Sequence, residues 1–309
     1  MVHKLIKEGF IPYCKSQTAR MGIQDLFSRY QEGSPDYTKD SIHFLRENFD
    51  ALGDDQKALY RVLTTWDADE SIDIGESGTL FRFLRFLSWK LVAEGKLKKP
   101  KEFIVRGTLE ERAKEFCNNP DMINWPMDIL GKLDNETSQY MSIAALLGNK
   151  EKVKNPPAKL EDTYDAIEHW RNRRRQGKVW IPHHDLTILG QADTYCLLMH
   201  DPETRFYPKQ AEDYCFARAF GYISKKEGEK RWPSLKGHES NRIKKMETTL
   251  QAYQKGEKII SDDHRVVQAI AMLMKYGTTR KIEEIQARFS NPKAVNKTWP
   301  QFWKFLEEH

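Results

Sequence analysis

Cysteine is scarce in this 309-residue chain: Cys14, Cys117, Cys196 and Cys215 are widely scattered and never spaced C-x-x-C. That spacing argues against a disulfide framework and against a cysteine-based zinc site, and it fits a reducing compartment. Long apolar runs are missing as well. No stretch approaches the ~18 residues that mark a membrane-spanning helix, and Met1–Phe10 lacks the apolar core of a signal peptide, so a cytoplasmic protein with no membrane partner is expected. Neither sign of charge dominates, with 50 Lys+Arg against 45 Asp+Glu and a formal net charge of +5. This small excess is much weaker than the clustered basic face of a nucleic-acid binder, and no nucleic-acid partner is expected. The densest basic run, Arg171–Lys178, reads better as a solvated linker than as an RNA contact, because no aromatic residues interleave with it. The pair His183–His184 with Asp185 has no third ligand at metal spacing, so no metal is expected.

What is present is enough to build a core: 39% of residues are hydrophobic and 11% aromatic. The length suits two domains of roughly 150 residues. Apolar residues at three- and four-residue spacing predict helices over Ile23–Tyr30, Lys39–Ala51, Thr79–Leu91, Tyr140–Leu147, Asp162–Arg171, Tyr214–Ile223, Asn241–Tyr253, Val266–Tyr276 and Thr298–Glu307. Short β-branched or aromatic runs at Phe103–Val105, Val179–Ile181 and Leu186–Leu189 read as strands. The alternation implies an α/β or α+β layering, with the domain division in the linker Arg171–Lys178.

Several segments place a cation or hydroxyl at the start of a helix-like run, where free backbone N–H groups also favour an anion. Pro12–Arg20 carries Lys15, Ser16 and Arg20. Gly75–Thr79 has two glycines followed by Arg82, without the lysine of a Walker loop or the spacing of a dinucleotide fingerprint. Glu136–Tyr140 offers Thr137, Ser138 and Gln139. Gly237–Arg242 and Asp262–Arg265 each mix a carboxylate with an arginine, and Lys297 precedes a Thr-Trp-Pro helix start. Each segment taken alone also reads as an ordinary helix cap with exposed charges.

In this order the segments resemble the enolpyruvyl transferase family, on the 3-phosphoshikimate 1-carboxyvinyltransferase side. Lys15-Ser16 with Arg20 is similar to the family's Lys-Ser-x-x-x-Arg element, and Gly75–Arg82 to its Gly-Asn-Ala-Gly-Thr-x-x-Arg loop. Thr137–Tyr140 is similar to Ser-Ser-Gln-Tyr, and Gly190-Gln191-Ala192 to the strand end that opens the second half. His238–Arg242 resembles Lys-Glu-Ser-Asp-Arg, Asp263-His264-Arg265 matches Asp-His-Arg, and Lys297–Pro300 resembles Lys-Ser/Thr-Phe-Pro. The resemblance runs from Lys15 to Pro300.

It implies a two-domain inside-out α/β barrel of βαβαββ units, some of them reduced in this shorter chain. The domains would be 15–175 and 1–14 plus 176–309. It implies transfer of the enolpyruvyl group of phosphoenolpyruvate to a hydroxyl of shikimate 3-phosphate by a monomer, without metal or organic cofactor. By the same resemblance Lys15, Gly78, Arg112, Gln139, Arg242, Arg265 and Lys297 would hold phosphoenolpyruvate, with Arg106 competing for the place of Arg112. Ser16, Arg20, Thr137, Ser138, Gln139 and His238 would bind the acceptor. Glu239 would exchange a proton with the methylene carbon, and His264 would support the departing phosphate. Asp213, with Glu212 as the alternative, would stand for the family's acceptor-binding aspartate, and Lys15 would be catalytic as well as binding. The acceptor-side departures also admit a different phosphorylated alcohol, or a non-catalytic metabolite-binding or interaction protein.

Overall fold

The structure is a computed structural model and describes residues 2–68, 71–133, 139–154, 156, 158–177, 181–236 and 241–309. They form two compact units, one of residues 14–183 and one of residues 1–13 with 184–309.

In the first unit the helix Lys15–Ser28 buries most of its length. It packs against the helices Thr38–Glu47, Asp54–Thr65, Gly78–Ala93, Gln139–Leu146 and Ala158–Gln176. The apolar spacing of Thr79–Leu91 explains the burial of the Gly78–Ala93 helix: Leu80, Phe83, Leu84, Leu87 and Leu91 are each at most 1% exposed. Fully burying one such side chain contributes roughly 1.5–3 kcal/mol. The only sheet among the described residues has two short parallel strands, Ser71–Gly75 and Glu102–Val105, joined through the Gly78–Ala93 helix. Gly75 ends the first strand at φ 58°, a left-handed conformation that glycine adopts without a Cβ clash.

In the second unit the centre is His264–Lys275, a helix whose residues are nearly all buried. Around it lie Tyr214–Ala219, Arg242–Gln254, Ile282–Ala287 and Phe302–Glu308, together with the 3-10 turn Pro292–Lys297. Its aromatic wall includes Phe10, Trp299, Phe302 and Phe305. Trp299 Nε1 donates to the Phe10 carbonyl at 2.6 Å, which ties the N-terminal segment to this core.

The expected inside-out α/β barrel of βαβαββ units is overturned: helices dominate, and a two-stranded sheet cannot close. The reason is local. Leu186–Leu189, expected as a strand, opens the helix Leu186–Leu198, because Asp185 caps it by accepting from Ile188 N at 3.0 Å. Ile188, Ala192 and Tyr195 then recur at helical spacing, all fully buried. Gly190-Gln191-Ala192 therefore lies in mid-helix rather than at a strand end. The basic run expected as a linker is also helical, since Ala158–Gln176 continues through Arg171–Gln176. Arg173 explains why: it is 3% exposed and paired with the fully buried Asp25. Phe103–Val105 does form a strand, whereas Val179–Ile181 falls largely outside the described residues. Among the described residues no helix is long and apolar enough to cross a membrane.

Candidate anion-binding site

Asp263 organises the candidate site in the unit containing residues 184–309. As the N-cap of His264–Lys275, its Oδ1 accepts from Arg265 N at 3.0 Å. Its Oδ2 accepts from Arg242 Nε at 2.9 Å. Arg242 is itself the first residue of the Arg242–Gln254 helix, which Asn241 caps by accepting from Lys244 N. One carboxylate thus joins two helix starts, each of which carries a partial positive charge. The Asp263 carboxylate takes the Arg242 side chain on one oxygen and the backbone of the His264–Lys275 helix start on the other.

The second arginine is the unusual one. Arg265 is 5% exposed, and its Nε and Nη1 have no hydrogen-bond partner among the described residues. Desolvated cations without partners are costly, and buried guanidinium groups are normally paired. One turn further on, Gln268 Nε2 donates to Thr298 Oγ1 at 3.2 Å. Thr298 directly follows Lys297, the last residue of the 3-10 turn, so the chain brings Lys297 next to this helix. His264 is buried at 3% exposure beside Arg265. Cys215 lies in the same electrostatic environment: burial pushes its thiol well up, Arg242 pulls it down, Asp263 pushes it up and Arg265 pulls it down. A thiol so shifted remains protonated and is no nucleophile.

Asp213 sits in the same unit but is committed elsewhere. Its carboxylate accepts from Gln191 Nε2 at 3.1 Å, Lys209 N at 2.9 Å and Gln210 N at 3.2 Å, which fixes the turn before Tyr214–Ala219. His238 and Glu239 lie outside the described residues.

The unit of residues 14–183 gathers its own motif residues. Lys15 Nζ pairs with Asp55 at 3.2 Å. Ser16 Oγ donates to Asp162 at 3.0 Å. Arg20 is enclosed: Nε donates to Thr163 Oγ1 at 2.6 Å, Nη1 to Ser16 Oγ at 2.7 Å and Nη2 to Ser142 Oγ at 3.2 Å. Burial lowers its pKa and Asp162 raises it, the first effect being larger. Arg20 therefore pins three helices and is 2% exposed, a position that serves packing. At the start of Gly78–Ala93, Arg82 donates to Gln139 and stacks 3.9 Å over Phe116. Arg112 lies 3.7 Å from the point where a Cβ on Gly78 would sit. Arg106, its competitor, is instead held by Asp73 at 2.8 Å on an exposed edge. Arg85 joins from the next turn, donating to the Cys117 carbonyl and facing Phe81 and Trp89. Thr137 and Ser138 lie outside the described residues.

The motif residues thus divide between the two units: Lys15, Ser16, Arg20, Gly78, Arg112 and Gln139 belong to one, and Arg242, Asp263, His264, Arg265 and Lys297 to the other. Sequence reasoning missed Arg85 and Gln268. Each sits three residues after an arginine already singled out, on the same helix face, and that spacing was the readable signal. His184, offered with His183 as a metal pair, bonds the Ile11 carbonyl through Nδ1 and stacks on Tyr13. No protein-family model matches this chain, and no curated protein or solved structure is similar to it.

Proposed function

We propose that the protein binds a small phosphorylated and carboxylated metabolite through Arg242, Arg265 and the start of the His264–Lys275 helix. The observation that carries the reading is the buried Arg265 guanidinium, whose Nε and Nη1 have no partner among the described residues. An oxyanion supplies the negative charge and the acceptors that such a group needs.

The motif order favours phosphoenolpyruvate as that metabolite and enolpyruvyl transfer to shikimate 3-phosphate as the reaction. In that chemistry the acceptor oxygen bonds to the central carbon of phosphoenolpyruvate while the methylene carbon takes a proton. The resulting tetrahedral ketal returns the proton and releases phosphate. Arg242 and Arg265 would neutralise the anion, and His264 would stabilise the leaving phosphate. Glu239 would carry the proton.

A second reading, a binding protein without turnover, is favoured by Asp213 and Arg20, whose polar groups are taken up by internal hydrogen bonds. Calorimetry with phosphoenolpyruvate, followed by phosphate release in the presence of shikimate 3-phosphate, separates the two. Binding with release supports transfer, and binding without release supports the second reading. Absence of binding, or binding unchanged by Arg265→Met, overturns both.

A further inference from the structure

An open pocket of about 370 Å³ lies in the unit containing residues 184–309, and none of its lining residues belongs to the proposed anion site. Its volume falls in the range that small-molecule sites occupy. Two helices end on it. Arg242–Gln254 and His264–Lys275 start together, because Arg242 bonds the Asp263 cap, and at their far ends they contribute Gln254 and Leu273 to the pocket. Helix C-termini carry a partial negative charge, which favours a cation and opposes a free anion. One wall nevertheless holds a cation. Arg218 donates through Nε to Glu247 Oε1 at 2.7 Å and through Nη2 to Oε2 at 2.9 Å, and both residues line the pocket. This bidentate pair fixes a guanidinium and a carboxylate side by side without exhausting either. Nη1 is not spent on Glu247. The carboxylate, counting a bond from Tyr214 Oη at 3.5 Å, has taken three of the roughly four hydrogen bonds it can accept. Leu250, 8% exposed, and Leu273 add apolar surface, and the exposed Gln251 and Gln254 add amides.

A lone anion would suit Arg218 but meet Glu247 and the two helix ends, and a lone cation would suit Glu247 but meet Arg218. A molecule that carries both charges answers both. We infer that this pocket binds an α-amino acid with an apolar side chain, its carboxylate on Arg218 Nη1, its ammonium towards Glu247 and the helix ends, and its side chain over Leu250 and Leu273. The two charges of an α-amino acid sit on one carbon and its carboxyl, which matches a wall whose own charges are held within 2.9 Å of each other. Sites built to pair a polar group strongly reject the analogue that lacks it, because the protein group is left without its counterpart. The site is separate from the one around Arg242 and Arg265, at the other end of the same helices.

The experiment is isothermal titration of the full chain at about pH 7, where carboxylate and ammonium are both ionised. The probes are L-phenylalanine with its single-charge analogues hydrocinnamate and phenethylamine, and L-leucine with isocaproate and isoamylamine. At least one amino acid is expected to bind about ten-fold more tightly than either of its analogues, the effect of one hydrogen bond to a charged group. Glu247→Gln is expected to bring that amino acid and its carboxylate analogue within about two-fold of each other, since the ammonium has lost its counterion. Arg265→Met is expected to leave amino-acid binding unchanged, which separates this pocket from the proposed anion site. Absence of binding by both amino acids, analogues that bind as tightly, a preference that survives Glu247→Gln, or binding lost with Arg265→Met would each overturn the inference. The wild-type ranking needs no variant, so a Glu247→Gln protein that failed to fold would leave that comparison decisive.

Discussion

Two buried arginines, one in each unit, each have a buried Nε without a hydrogen-bond partner, but of the two only Arg173 has its terminal nitrogens on carboxylates among the described residues. Arg173, 3% exposed, holds Asp25 through Nη1 at 3.1 Å and Asp40 through Nη2 at 2.6 Å, and lies 3.9 Å over the Tyr37 ring. Asp25 in turn accepts from Ser41 at 2.5 Å and from Trp170 at 3.1 Å. Three helices, Lys15–Ser28, Thr38–Glu47 and Ala158–Gln176, are joined by this network. Arg265 is equally enclosed, yet its Nε and Nη1 have no hydrogen-bond partner among the described residues, and the carboxylate of Asp263, two residues before it, is taken by Arg242 and by the backbone. The first arrangement ties three helices together; the second leaves a buried guanidinium with no carboxylate partner among the described residues, and the proposed anion site rests on that feature.

The largest effect expected from breaking this contrast is at Arg173. Arg173→Met leaves the Asp25 carboxylate buried without a cation and should cost about 3–5 kcal/mol, read from chemical denaturation. A loss below about 1 kcal/mol would show the network to be dispensable.

Asp25 provides the next test, through pH. Burial is the largest influence on its carboxyl and raises it from 3.8 to about 6, against the opposing pull of Arg173 and of hydrogen bonds from Ser41, Arg173 and Trp170. The folded state therefore holds this proton more tightly than the unfolded chain. That advantage is complete below the unfolded value of 3.8 and disappears as pH rises through about 6. Measured against Asp25→Asn, the wild type should be relatively most stable at the acid end of this window and should level off above it. Arg173→Met should carry the decline to higher pH, because the cation holding the carboxyl down is gone. A difference that stays flat across the window would contradict this assignment.

Arg265→Met should act in the opposite sense. Removing an unpaired buried cation should leave stability unchanged or raise it by up to about 2 kcal/mol, while binding of phosphoenolpyruvate is lost. Thermal melts of the two methionine variants side by side give the sign directly, and a large loss at Arg265 would mean that its charge supports the fold.

The smallest effect is expected at a pair that is neither buried nor vacant. Arg218 grips Glu247 through two bonds of 2.7 and 2.9 Å, with both side chains about a quarter exposed. Glu247→Gln should cost less than about 1 kcal/mol in the same denaturation assay. A larger value would place this pair with Asp25–Arg173 rather than with surface charges.

Residues that act through their neighbours in the chain were legible. The apolar spacing of Thr79–Leu91 and Val266–Tyr276 foretold helices that are present as Gly78–Ala93 and His264–Lys275. Asp263 preceding His264-Arg265 has the form of a cap and is one. The short run Leu186–Leu189 was not legible, because four apolar residues fit a strand and a buried helix turn equally well. The cap bond from Asp185 and the helical recurrence out to Tyr195 settle it as helix.

The motif order, the near balance of charge and the positions of most helices belong to the sequence alone, since each depends on residue identity and on spacing within a few turns. Which arginines are spent and which are left over was decided by tertiary structure. Arg173 lay in a run that looked like a solvated linker, and Arg20 lay in a segment that looked like a ligand-binding loop. Their partners, Asp25 in one case and Thr163 and Ser142 in the other, stand 148, 143 and 122 residues away. Pairing across such separations depends on how helices pack, and local spacing carries no record of it.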